Sequence, residues 1–324
     1  MVRQLTDRVI VVTGASSGIG RATVGLLAGS GATVVAAARR GDALEELAAE
    51  HRGAPGEVHP APLDVTDAAA VDQLAADTVG RFGKLDGWVN DAAVNQYGRF
   101  EELPLEEWRQ VVDTNLFGYV HGARAAIPWF RDQGRGVLVN VSSILAKVPA
   151  PLQSAYVTSK YAISGLSDAL RQELQDAPGI EVSTILPGPI DTPLFAHAAN
   201  RTGVRIVPPQ PVVAPERVAA AIAKNLVRPR REVPVGVASG RVGLAFRKLV
   251  PGLTEKVSAR AMAAAHLSDD PAPPTPGNLV APSRGDAEVT GGWAPHRSAS
   301  GARTALVAAG VAAGVGVAIR ARAS

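Results

Sequence analysis

The chain has 324 residues, 46% of them hydrophobic and 19% charged, which suits one domain of about 250 residues with an appendage and argues against a disordered chain. Lys and Arg outnumber Asp and Glu only 33 to 30 and form no basic tract, so nucleic acid is not expected as a partner. Cysteine is absent, which removes disulfides, thiolate nucleophiles and cysteine-bound metals together.

From the start, Val9 to Val12 is an apolar run too short for a secretory leader, so a cytoplasmic chain is expected. Short Val/Ile-rich runs then alternate with Ala/Leu-rich amphipathic stretches. Strands are expected over Arg8 to Thr13, Thr33 to Ala38, Glu57 to Leu63, Asp86 to Asn90, Gly136 to Val141, Glu181 to Leu186 and Glu232 to Val235. This βαβα order predicts an α/β fold, a doubly wound, mostly parallel seven-stranded sheet with helices on both faces. The proline-rich stretch from Pro193 to Pro215 lacks periodicity and is expected to be a loop or broken helices forming a substrate lid. The expected organisation is a catalytic domain over 1–250, a helix and Pro/Gly-rich flexible linker over 251–303, and an apolar tail over 304–324. In that tail, Val307, Val311, Val315 and Ile319 fall on one helical stripe, so residues 304–319 either contact a membrane or form a disordered or partner-docking end.

Thr13-Gly14-Ala15-Ser16-Ser17-Gly18-Ile19-Gly20 follows the first strand and opens a helix. Glycines let a diphosphate approach the backbone, and a helix N-terminus offers free N–H groups and a favourable dipole. The alternative is a tight turn with no ligand. At the end of the second strand stands Ala38, with no carboxylate for an adenosine ribose 2′-OH, and then Arg39 and Arg40. These arginines either pair with a 2′-phosphate, which predicts NADP(H), or form a solvated turn. Asp64 either touches the adenine edge or caps a helix with Thr66.

Tyr156 and Lys160 are four apart, on one face of a helix. A neighbouring ammonium and an oxidised nicotinamide would both favour the phenolate, pulling its pKa from about 10 toward working pH. Tyrosine then serves as proton donor or acceptor. The six histidines, His51, His59, His121, His197, His266 and His296, show no i,i+4 pairing, so no metal is expected.

The Thr13 to Gly20 turn, Asn90-Asp91-Ala92-Ala93, Asn115, Ser143, Tyr156/Lys160 and Pro187-Gly188 stand in the order and spacing of the short-chain dehydrogenases/reductases, which residues 5 to about 240 resemble. The resemblance implies that Ser143 hydrogen-bonds the substrate carbonyl, Tyr156 transfers the proton, Lys160 holds the cofactor ribose and lowers the tyrosine pKa, and Asn115 positions a relay water beside Lys160. It implies cofactor contacts from Gly14, Ser16, Ser17, Gly18, Ile19 and Gly20, from Arg39, Arg40, Asp64 and Val65, from Asn90 and Ala92, and from Pro187, Gly188, Ile190 and Thr192. Two departures stand out: Asp91 and Ala93 where the family usually has Asn and Gly, and the chain beyond residue 250. The expected activity is hydride transfer between NADP(H) and a carbonyl/alcohol substrate; the alternative is a nucleotide-sensing binding protein on the same fold. An apolar pocket wall of Leu145, Val148, Leu152, Phe195, Pro149, Pro151 and Pro189 points to a lipophilic small molecule. A homo-oligomer, dimer or tetramer, packed through the helices carrying Asn115 and Tyr156 is also implied.

Overall fold

The computed structural model describes residues 5–236, 265–283 and 287–294. In chain order the first half comprises β1 (Val9–Thr13), α1 (Gly18–Gly29), β2 (Thr33–Ala38), α2 (Gly41–Glu50), β3 (Glu57–Pro62), α3 (Ala68–Phe82) and β4 (Gly87–Asn90). There follow β5 (Gln96–Tyr97), α4 (Leu105–Val112), a π-helical turn at Asp113–Phe117, α5 (Gly118–Asp132), β6 (Gly136–Val141), α6 (Ser154–Glu173) and β7 (Ile180–Pro187). The described chain closes with β8 (Ala199–Asn200), β9 (Val204–Ile206), α7 (Pro215–Val227), β10 (Glu232–Val235) and β11 (Leu267–Pro271).

Seven strands pair in the order β10-β7-β6-β4-β1-β2-β3, every pairing parallel. The sheet is covered on both sides, so its central strands are buried throughout and mostly apolar: all five residues of β1 and all six of β6 are buried. Alternation divides β1 between two cores. Ile10 and Val12 join Val24 and Leu27 of α1, Leu44 of α2 and Ile222 of α7 on one face. Val11 joins Leu74 of α3, Trp88 of β4 and Phe130 of α5 on the other. The seven expected strands coincide with those observed to within two residues at their ends.

The progression of strands across the sheet reverses between β1 and β4, parallel neighbours from which successive strands are added toward opposite edges. At such a point the loops after the strands part and leave a crevice beyond the carboxyl ends. α3 shows how local sequence sets the boundaries: the Asp67 side chain accepts from Ala70 N, and Gly83 ends the helix at φ 74. α1 differs, because Ser17 at its start makes no side-chain cap bond.

The expected lid between Pro193 and Pro215 contains the short strands β8 and β9, which pair with β5 and β11. The last pairing corrects the expectation of a flexible linker over 268–303. In its described part, β11 pairs antiparallel with β9, Thr275 and Asn200 exchange backbone bonds at 2.9 and 3.0 Å, and Leu279 is fully buried. A composition poor in apolar residues cannot form its own core, but these segments borrow one by packing on the domain. Among the described residues no helix is long and apolar enough to cross a membrane. The tail over 304–324 and the helix expected after residue 250 lie outside the described residues.

Candidate active site

One cavity of about 510 Å³ opens at the carboxyl ends of the strands. Its lining brings together Gly14, Ser16, Ser17, Gly18 and Ile19 from the first turn; Arg39, Arg40, Asp64 and Val65 beyond β2 and β3; and Ala92 beyond β4. Ser143, Tyr156, Lys160, Pro187, Gly188, Ile190 and Thr192 complete it from the other side. Of the expected pocket wall, Leu145, Val148, Pro189 and Phe195 line this cavity, whereas Leu152, Pro149 and Pro151 do not belong to the lining.

The Gly-rich turn is packed as tightly as a close backbone approach requires. Gly14 has φ +72, and a Cβ on it would lie 2.7 Å from Ala92 N; a Cβ on Gly20 would lie 2.2 Å from Gly14 O. Gly20 thus shapes the turn from beneath without lining the cavity. Thr13 Oγ1 ties the turn to the strand-β4 loop by accepting from Asp91 N (3.2 Å) and Ala92 N (3.4 Å).

Asn90 and Asn115 stand behind the lining of the cavity rather than in it. Asn90 is fully buried, accepting from Trp88 Nε1 (2.8 Å) and donating to Asn140 Oδ1 (2.9 Å) and Tyr119 O (3.3 Å). Asn140 donates in turn to Ser167 Oγ on α6 (3.0 Å), so this polar chain fixes α6 to the sheet. Asn115 exchanges both side-chain groups with the Val94 backbone, at 2.8 and 2.9 Å, and donates to Ser159 Oγ (3.3 Å). Its amide therefore joins the strand-β4 loop to α6.

On α6, Tyr156 and Lys160 face the same cavity. Lys160 Nζ donates to Val141 O (2.9 Å) and Tyr119 Oη (3.5 Å) and lies 5.4 Å from the centroid of the Tyr156 ring. Ser142 Oγ donates to Lys160 O (2.9 Å), and Ser143 Oγ accepts from Leu145 N (3.1 Å). The protein's own groups do not lower the phenol pKa. Burial pushes Tyr156 up to about 12, against the Ser143 hydroxyl, which hydrogen-bonds its oxygen and favours the ionised form, and with the Asp91 carboxylate adding to the rise. Burial likewise depresses Lys160, with Asp91 opposing, and raises Asp91, with Lys160 and the Gly20 amide opposing. The Asp91 carboxyl is thus the acidic group to which Lys160 is coupled in this site. Tyr119, a site neighbour that spacing did not reveal, lies one helical turn after Asn115 and holds Val141 O through its hydroxyl at 2.9 Å.

At the far end neither arginine is a solvated turn. Arg40 donates to Ser16 O at 3.1 Å. Arg39 donates to the carbonyls of Asn278, Leu279 and Val280, which composition had assigned to a linker. Burial lowers the Arg39 pKa and Asp64 opposes it. Asp64 lines the cavity and does not cap α3, whose N-cap is Asp67: its Oδ1 accepts from Thr66 N and Oγ1, both at 2.9 Å, within the turn before the helix. Among the described residues no group of His, Asp and Glu could hold a metal.

Known proteins share this arrangement. A sequence profile described as short chain dehydrogenase matches residues 8–202. An uncharacterized oxidoreductase of Bacillus subtilis, YxnA, is 36% identical over 263 residues, covering 79% of this chain and 74% of its own length. The 3-oxoacyl-[acyl-carrier-protein] reductase FabG of Thermotoga maritima is 33% identical, covering 68% of this chain and 90% of its own. A short chain dehydrogenase/reductase of Burkholderia phymatum, solved in complex with NAD, superposes with a TM-score of 0.70 at 25% identity, covering 77% of this chain and 96% of that one. A parallel seven-stranded sheet, a glycine turn at its reversal point and a Ser, Tyr and Lys set on one cavity wall, together with these matches, lead to one conclusion: the chain belongs to the short-chain dehydrogenase/reductase family and is an NAD(P)-dependent oxidoreductase.

Proposed function

We propose that the protein reduces a lipophilic carbonyl to an alcohol with NADPH, with Tyr156 as the proton donor. The carrying observation is that Ser143, Tyr156 and Lys160 share one cavity with the Gly14–Ile19 turn. The cavity fits a dinucleotide: close-packed glycines leave the turn backbone bare, and α1 begins without a side-chain cap, leaving N-terminal amides for a diphosphate. Pro187, Gly188, Ile190 and Thr192 would hold the nicotinamide end, and Lys160, which has three ammonium hydrogens, would hold the ribose beside it. The hydride is supplied by the nicotinamide once the dinucleotide is bound.

The protein's own part is orientation and proton transfer. Ser143 and Tyr156 line the same cavity, where a substrate oxygen would accept from both hydroxyls. With its pKa raised to about 12, Tyr156 is a neutral phenol at working pH, which suits a proton donor. As the substrate oxygen takes the proton, Lys160 stabilises the phenolate left behind. Leu145, Val148, Pro189 and Phe195 give the substrate end an apolar wall, which supports a lipophilic carbonyl. NADP(H) is preferred because Ala38 offers no acceptor to a 2′-OH, while Arg39 and Arg40 stand next to it. The chain assembles as a dimer or tetramer through α4, α5 and α6, a reading supported by exposed Leu105, Phe117 and Tyr161 near that face.

The test is NADPH oxidation by the purified chain against a panel of apolar ketones, aldehydes and quinones. With the best substrate, Tyr156→Phe should lose at least about 10²-fold in turnover while still binding NADPH. Near-wild-type turnover would overturn the assignment.

A further inference from the structure

The described parts of the C-terminal segment touch the cofactor cavity at both places where a dinucleotide carries negative charge. At the end of β2 the Arg39 guanidinium donates to three consecutive main-chain carbonyls: Nη1 to Leu279 O (3.2 Å) and Val280 O (3.0 Å), and Nη2 to Asn278 O (2.6 Å). At the glycine turn the N–H of Gly18, the first residue of α1, donates to Glu288 O (3.0 Å). Main-chain carbonyls thus accept from two of the groups that the proposed function assigns to phosphate oxygens.

Further contacts hold the segment down. Asp191 accepts from Gly291 N (3.0 Å), Trp293 N (2.9 Å) and Ala294 N (3.1 Å). Trp293 Nε1 donates to Thr192 O (3.0 Å), and its ring meets Phe195 edge-on at 6.4 Å. Ser283 Oγ pairs with His197 Nδ1 (3.1 Å). The Leu279 side chain is fully buried in the apolar cluster that contains Tyr156.

We propose that residues 278–283 and 287–294 act as a strap that competes with the dinucleotide for Arg39 and Gly18, and that a 2′-phosphate is the group that displaces it from Arg39. The part concerning Arg39 rests on the NADP(H) reading above; the part concerning Gly18 holds for either dinucleotide. A phosphate is an ionised acceptor and a carbonyl a neutral one, so the guanidinium exchanges three carbonyls for a phosphate with a gain. NAD(H) leaves Arg39 with the carbonyls. Since Leu279 joins the Arg39-bound backbone to the Tyr156 cluster, releasing the strap also withdraws a side chain from beside the catalytic tyrosine. Cofactor choice and substrate access are then coupled through one segment.

A strap seated in 90–99% of molecules would weaken apparent cofactor affinity by about 10- to 100-fold, the inverse of the open fraction. Two measurements on the full chain test this. In the first, dissociation constants for NADPH and NADH are compared between wild type and Trp293→Ala, with Leu279→Ala as a second variant that loosens the strap elsewhere. Both variants should bind NADPH about 10-fold more tightly. Unchanged or weaker binding would mean that the strap covers a bound cofactor instead of competing with it, and would overturn the proposal. The second measurement follows hydrogen exchange in wild-type peptides spanning 275–294. NADPH should accelerate exchange around both 278–280 and 288, and NADH around 288 only; protection by either cofactor would overturn the competition. Equal acceleration at 278–280 by both cofactors, with equal affinities, would reject the role of the 2′-phosphate and the NADP(H) preference while leaving competition at Gly18 standing.

Discussion

Replacing Asn90 by alanine should destabilise the whole domain even though the residue touches no part of the cavity. Its amide lies between three buried partners: it accepts from Trp88 Nε1 at 2.8 Å and donates to Asn140 Oδ1 at 2.9 Å and Tyr119 O at 3.3 Å. Alanine leaves the Trp88 indole N–H and the Asn140 carbonyl oxygen without those partners, deep between β4, β6 and α5. Leaving a buried polar group unsatisfied costs about 1–3 kcal/mol, so two such groups cost about 2–6 kcal/mol. At about 2–4 °C per kcal/mol for a domain of this size, the melting temperature should fall by on the order of 10 °C. Water cannot easily rescue the site, because Gly122 of α5 comes so near that a Cβ there would sit 2.3 Å from Asn90 Oδ1. Thermal and urea unfolding followed by circular dichroism measure the loss. Trp88→Phe on the Asn90→Ala background should also cost less than on wild type, by about 0.5–3 kcal/mol, since the indole donor has already lost its acceptor. A melting temperature within about 2 °C of wild type, or strictly additive costs, would refute the claim that this polar chain holds the strand-β4 end to the sheet.

Three other outcomes follow from the site. Burial raises the Asp91 carboxyl, so the folded state binds that proton more tightly than the unfolded chain, and the stability this brings is complete below about pH 4 and lost as pH rises through the raised native pKa. Asp91→Asn should therefore gain stability relative to wild type between about pH 4 and 9, read as a growing difference in urea midpoint; a constant difference would refute it. The same variant removes a group that raises both Tyr156 and Lys160, so the alkaline limb of the turnover profile should move to lower pH, and an unmoved profile would count against Asp91 as the acidic group to which Lys160 is coupled. Gly20→Ala should weaken NADPH binding by about tenfold or more, about 1.4 kcal/mol, because its Cβ would lie 2.2 Å from Gly14 O and force the turn open; cofactor fluorescence titration gives the result, and unchanged affinity would show that the turn does not hold the diphosphate.

The sheet could be read from sequence because its signals are local and repeated. The apolar runs of β1, β2 and β6 are continuous since both faces are covered, and the glycine turn, the Tyr156/Lys160 spacing and the bare Ala38 each lie within a few residues. Local pattern also determined which residues carry chemistry, since side chains one helical turn apart share a face wherever the helix packs. Only the tertiary structure decided the rest. That Asn90 and Asn115 are internal struts depends on partners 50 and 44 residues away, Asn140 and Ser159. The Tyr156 pKa rises because desolvation by the assembled fold outweighs the hydrogen bond that Ser143 gives its oxygen. Arg39 meets carbonyls about 240 residues further on, from a stretch whose composition alone predicts no order. Composition measures whether a segment can bury its own surface, whereas here the order comes from hydrogen bonds and a single leucine lodged in a core that other parts of the chain had already built.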